Sequence, residues 1–362
     1  MRRKFGRSAN VAAPVIGWLI MVCLVFSAVQ YLSAKGYDFD SMVDRFVQSP
    51  ICSYLARFEL ALPLKDNAAK EEPAPKVKEK PSLKQPNIPA KLLFEQPEQK
   101  EEKQVPFNIF LDSDEVLCAD TIRVDNKSGL DFDIDTLLNA PLDFTIGSGL
   151  PSVLIVHTHT SESFTKTASD NYEESDPYRT ENCDYNVVRV GEELKNALES
   201  YGIGVIHDAT IHDYPDYNGA YSRSMDTISE NLQKYPSIKI VIDLHRDAIA
   251  NPDGSQYKTV AQVEDKTCSQ VLLVMGSSAL VAHADWQKNL TLALKLQYAM
   301  NTLYPSLAKP ILLSQYKYNQ DATTGSMILE VGCAGNTLDE SLCAVRYFAD
   351  AAAQVFLSVK NN

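Results

Sequence analysis

Cysteine is present in this chain without any of the spacings that usually give it work. Cys23, Cys52, Cys118, Cys183, Cys268, Cys333 and Cys343 form no C-x-x-C pair, so nothing signals a thiolate zinc site. Six of them could pair in an oxidising compartment, but their scatter suggests no disulfide framework. No G-x-S-x-G elbow surrounds Ser161 or Ser163, which argues against a serine hydrolase. Cys183 and Cys333 stand in no recognisable nucleophile context, which argues against a thiol peptidase. There is no phosphate loop, no dinucleotide fingerprint and no internal repeat. Histidine is scarce, at six in 362 residues, so the placing of each one carries information.

Positive charge is also scarce where the chain looks globular. The formal net charge is -13, and residues 107–362 alone hold 18 Lys/Arg against 35 Asp/Glu. An acidic domain repels phosphate backbones, which argues against nucleic acid as a partner. The basic residues gather at the start instead. Arg2, Arg3, Lys4 and Arg7 precede an uncharged run from Ser8 to Ala34, densest in apolar residues from Val11 to Leu32. That run matches the ~20 residues needed to span a bilayer, with the basic flank on the cytoplasmic side. It is longer than a usual signal-peptide core and lacks a small-x-small cleavage site, so residues 1–34 read as an uncleaved anchor. Everything downstream is then expected outside the cytoplasm. Residues 35–64 read as a juxtamembrane segment. Residues 65–106 hold seven of the 18 prolines with mixed charge and few large apolar groups, the composition of a disordered tether.

From residue 107 the pattern becomes that of an α/β domain. Short aliphatic runs occur at 152–156, 202–206, 238–242, 270–275, 309–313 and 326–331. Helix-like stretches alternate with them, which predicts a mostly parallel, twisted sheet with helices on both faces. Unbroken aliphatic runs suit strands covered on both sides.

Ligands bind such sheets outside the carboxyl ends of the strands. The first run is followed by His157, His159 and Glu162, and the second by His207 and Asp208. The third is followed by Asp243, His245, Arg246 and Asp247, and the last holds Glu330 before a glycine-bearing loop. Histidine plus carboxylate without a cysteine cluster is the ligand set of a catalytic zinc centre, with one position left for water. The candidate ligands are His157 or His159, His245 and a carboxylate such as Glu162. Glu330 arrives from another strand and is the candidate general base. Each residue also has a structural reading: a strand-end turn, a satisfied core histidine, or a cap on the final helix.

These residues carry a resemblance. HTHTSESF (157–164), DYNVVRVGEEL (184–194), HDATIHDYPDYNGAYSRS (207–224), DLHRDA (243–248), YNQD (318–321) and LEVGCAGNTLDE (329–340), with Trp286 and Asn289, resemble the stage II sporulation protein P family. The resemblance implies an amidase-3-like fold and a zinc-dependent N-acetylmuramoyl-L-alanine amidase, with possible cleavage of peptide cross-links, acting on peptidoglycan during forespore engulfment. It implies partnership with stage II sporulation proteins D and M. The family's motif histidines fall on His157, His159 and His245, and its C-terminal glutamate on Glu330. Its helix-start glutamate has no counterpart near Asn182–Asp184, so Glu162 or Asp184 serves, Glu162 being preferred. Arg246 and Asn336 are the expected substrate contacts. Cys333 stands where a second glycine is usual and could bond Cys183. The reading of a different class is a non-catalytic, membrane-anchored scaffold that binds the cell wall.

Overall fold

Aliphatic runs become strands and the stretches between them become helices. In chain order the elements are β1 (Val124–Asn126), α1 (Ile134–Asn139), β2 (Pro151–Val156), α2 (Val187–Glu199), β3 (Gly204–His207), α3 (Ala220–Lys234) and β4 (Ile240–Asp247). There follow β5 (Ala261–Val263), β6 (Lys266–Cys268), β7 (Val271–Met275), α4 (Trp286–Leu303), β8 (Ile311–Leu313), β9 (Gly325–Cys333) and α5 (Leu338–Ser358). The structure, a computed structural model, describes residues 109–110, 116–249, 251 and 255–360. The anchor, juxtamembrane and tether readings of residues 1–106 lie outside the described residues. No described helix is long and apolar enough to cross a membrane.

Seven strands form one sheet in the order β1-β8-β7-β9-β4-β2-β3. Every neighbouring pair runs parallel except β7–β9. The sheet is therefore mixed and consists of two co-directional groups. β9, β4, β2 and β3 point one way, and β7, β8 and β1 the other. The first group delivers its carboxyl ends to one rim and the second to the opposite rim.

Period-two alternation sorts the side chains between two faces. Val153, Ile155, Val205, Ile242, Leu244, Leu329 and Val331 enter the main core, with Val187, Val190, Leu194 and Leu198 of α2 and apolar stretches of α4 and α5. Leu154, Val156, Ile206 and Val241 face the other way and pack on Ile228 of α3. Helices thus lie on both faces, as expected. Asn186 caps α2 by accepting from the Val188 N–H, and Thr337 with Glu340 closes a capping box on α5. Asn289 of α4 donates to the carbonyls of Gln320, Thr323 and Ser326, and Trp286 packs edge-on against Phe132. That pair therefore holds α4 in place.

The cysteines correct one expectation. Cys268 of β6 and Cys343 of α5 form a disulfide across 75 positions, so the scattered thiols do include a cross-link. Cys183 and Cys333 are both buried and free, so the bond considered between them is not made.

Candidate metal centre

The strand pleat decides which histidine goes where. His157 follows β2 in phase with Val153 and Ile155, so its side chain points under α2. There its Nε2 lies 2.9 Å from Nε2 of His207, which ends β3 in the same phase, and its Nδ1 lies 2.8 Å from the Leu244 carbonyl. His207 turns its Nδ1 to Glu192, 3.1 Å away. Burial first, then the neighbouring His207, holds the His157 pKa well below the usual imidazole value. Both of its ring nitrogens are engaged away from the rim. His157 is not brought to the cluster described next, because strand alternation assigns it to the opposite face.

Past His157 the chain leaves the pleat. Thr160 Oγ1 donates to the His157 carbonyl and the Glu162 N–H to the His159 carbonyl, which turns His159 and Glu162 back over the sheet. On β4, Asp243 and His245 share the phase of Val241, on the face covered by α3. The β4–β9 register sets His245 beside Glu330.

His159, Glu162 and His245 converge, their candidate donor atoms all within 4.8 Å of one another. His159 Nδ1 lies 3.5 Å from Glu162 Oε1, and His245 Nδ1 lies 3.4 Å from Glu162 Oε2. Glu162 and His245 are buried, while His159 is partly open to solvent. Asp184, the alternative carboxylate, is exposed and outside the cluster.

Two acidic groups respond oppositely to this surround. Burial pushes the Glu162 carboxyl up, but Arg246 and the two imidazoles outweigh it and hold it well below the usual range. Glu330 is half-buried as a residue, yet its Oε2 is enclosed and has no hydrogen-bond partner. Desolvation of that carboxyl, with the charges of Glu162 and Asp247, outweighs His245 and Arg246 and raises its pKa well above the carboxylate range. His245 is pulled down by burial and lifted further by Asp243 and Glu162, ending well above ordinary imidazole. Its Nε2 sits 2.9 Å from Asp243 Oδ1 but off the N–H axis, so it lacks an aligned partner. Asp243 is itself fixed by the N–H and hydroxyl of Thr158.

Arg246 and Asn336 do not face an open cleft. Arg246 is buried, donating from Nε to the Ser163 carbonyl and from Nη2 to that of Tyr178, with Nη1 3.7 Å from Glu162. Its backbone N–H also donates to Glu162 Oε2. Asn336 is fully buried, accepting from the N–H groups of Thr259 and Cys333 and donating to the Thr259 carbonyl and Glu340. Asp208 is bonded by Thr210 and Asn231, and Asp247 by Lys309. Sequence reasoning overlooked Asp243 as the group behind His245, although its position two residues earlier on the same strand is that signal. It also overlooked Arg179, which reaches Asp213, Ser161 and Glu162 from a distant loop with no local pattern.

The molecule is thus a mixed α/β domain with a candidate metal centre of two imidazoles and one carboxylate on the carboxyl rim of its sheet. The chain belongs to the stage II sporulation protein P family, whose sequence profile matches residues 43–353. It is 29% identical over 215 residues to the stage II sporulation protein P of Bacillus subtilis (strain 168), covering 56% of this chain and 50% of that relative. The chain therefore spans about half the length of the curated relative it matches. Among solved structures it is similar to the N-acetylmuramoyl-L-alanine amidase AmiC2 of Nostoc punctiforme, at 11% identity and TM-score 0.34, covering 57% of this chain and 95% of that one. It is also similar to the catalytic domain of CwlV, an N-acetylmuramoyl-L-alanine amidase from Bacillus (Paenibacillus) polymyxa var. colistinus. That match has 12% identity and TM-score 0.33, covering 58% of this chain and 99% of that one. At such scores the likeness carries no argument about chemistry.

Proposed function

We propose that this chain is a zinc-dependent peptidoglycan hydrolase that cleaves the amide between the muramyl lactyl group and L-alanine. The observation that carries it is the convergence of His159, Glu162 and His245 beside Glu330, whose enclosed oxygen has no partner. The residues fit a zinc ion: three N/O donors from two imidazoles and a carboxylate are the usual set of a catalytic site. When bound, zinc supplies a Lewis acid for the scissile carbonyl and a water acidified towards neutrality.

The chain's own residues do the rest. Arg246 keeps Glu162 ionised and aimed, and Asp243 backs His245. Glu330 takes a proton from the attacking water and delivers it to the departing amine nitrogen. Its enclosed oxygen is free to accept a proton, and burial, which raises its pKa to about 8, favours holding that proton until the amine departs. Family membership supports a role in sporulation, and the resemblance supports engulfment, cross-link cleavage and work with stage II sporulation proteins D and M. The apolar run at Ser8–Ala34 and the Cys268–Cys343 disulfide support an anchored protein whose domain lies outside the cytoplasm.

The test uses the purified, zinc-loaded chain on isolated sacculi. Free stem peptides and denuded glycan are expected. Glu330→Gln should keep its zinc and lose activity by about 10²–10⁴-fold. Dimeric muropeptides becoming monomers would indicate endopeptidase action, and unaltered sacculi with tight binding would replace this reading with the scaffold.

A further inference from the structure

The segment Tyr214–Tyr221 belongs to a motif that the proposed metal ligands and base leave unused, and it reaches the open side of the cluster. The Tyr217 hydroxyl lies 3.4 Å from His159 Nδ1, the same nitrogen that faces Glu162. Its ring lies against the imidazole, with centroids 4.6 Å apart and planes tilted by 36°. The Arg179 guanidinium also packs on this ring, 5.0 Å from its centre, and is held by Asp213 at 2.6 Å and by Ser161 Oγ at 3.1 Å. The other two members of the cluster are buried, whereas Tyr217 is 52% exposed, so a polymeric substrate approaching His159 from solvent meets this phenol. Tyr221, the next phenol along, shows only a ring contact with His159, 5.7 Å between centroids.

The hydroxyl's one hydrogen bond among the described residues is to that imidazole nitrogen. A metal ion held by that nitrogen would take the same lone pair and leave the phenol its proton, without this acceptor, at the edge of the centre. A phenol both donates and accepts, but beside a nitrogen so occupied only donation remains useful. We infer that Tyr217 is a catalytic residue, its hydroxyl donating a hydrogen bond to the carbonyl oxygen that gains negative charge when water attacks the scissile amide. No bond to Tyr217 forms or breaks, and its proton stays on the phenol. This inference rests on the hydrolase reading above.

The test compares wild type with Tyr217→Phe, which keeps the ring contacts and removes only the hydroxyl. On a soluble N-acetylmuramoyl peptide, kcat should fall about 10²-fold with zinc content unchanged. KM should stay within about threefold, because the interaction is made in the transition state. By calorimetry, a phosphinate replacing the scissile amide should bind the zinc-loaded variant weaker by a similar factor, while affinity for the uncleaved amide barely moves. Wild-type kcat and phosphinate affinity in Tyr217→Phe, or a rise in KM alone, would overturn the inference and leave the hydrolase reading standing. A zinc-loaded wild type that releases no peptide would overturn both.

Discussion

The end of β2 separates a candidate metal ligand from a core residue. His157 keeps the phase of Ile155 and is spent on His207 and the Leu244 carbonyl, whereas His159 lies past the strand and turns back over the rim. Two substitutions should separate these roles. His157→Ala leaves His207 Nε2 without its partner and opens a gap in the core, so urea unfolding should show a loss of about 2–4 kcal/mol. Zinc stoichiometry and affinity should be unchanged. Asp243→Asn keeps an oxygen for Thr158 but withdraws the charge facing His245 Nε2, so chelator-competition titration should show zinc affinity reduced about 10–100-fold. Zinc binding lost in His157→Ala and retained in full by Asp243→Asn would reverse this division. The sequence offered both histidines because the phase depends on where β2 ends, and composition does not fix that. Glu162 joins the candidate cluster from three residues after His159, where a single turn brings the two together. Arg246 and Asn336 were misjudged for a common reason. Polar residues near a strand end look like rim groups, and only coordinates reveal that both side chains are buried and bonded inside the domain.

Strand direction explains why four of the six aliphatic runs are followed by chemistry and two are not. The runs at 270–275 and 309–313 became β7 and β8, which point away from the rim that β2, β3, β4 and β9 share. Runs and helices were legible because continuous burial and helical periodicity leave plain patterns. The antiparallel step at β7–β9 was not, since a run of aliphatics reads alike in both directions. The three-residue strands β5 and β6 were missed as well, being too short to show a period. α2 offers a test of how tightly this rim is backed. Gly191 lies mid-helix, where alanine normally gains about 1 kcal/mol. Here an added Cβ would sit 2.7 Å from Nε2 of both His157 and His207. Those rings are buried and bonded to each other, so neither can withdraw without breaking the pair. Overpacking of that kind costs about 1–3 kcal/mol, which exceeds the helix gain. Gly191→Ala should therefore lower the thermal midpoint, and a raised midpoint would show that the histidine pair yields freely.

At the scale of the whole domain, the Cys268–Cys343 bond joins the outlying β5–β6 hairpin to the final helix, whose apolar face fills much of the main core. No pattern in the sequence could pair these two among seven cysteines, because their 75-residue separation spans four intervening elements. The same separation makes the bond consequential: the chain-entropy cost it removes from the unfolded state is about 4 kcal/mol, and losing a native disulfide typically costs about 2–5 kcal/mol. Reduction should therefore lower the stability of the purified protein by a few kcal/mol in denaturant titrations. The double variant Cys268→Ala/Cys343→Ala should show a similar loss and no further response to reductant. The candidate metal cluster is built from β4 and from the loop after β2, with neither cysteine in it, so zinc affinity should survive reduction wherever the domain remains folded. Alkylation of the unreduced, denatured chain should label Cys118, Cys183 and Cys333 and spare the bonded pair. A protein whose Cys268 and Cys343 label without reductant, and whose unfolding midpoint ignores reductant, would remove this cross-link from the support for a domain working outside the cytoplasm.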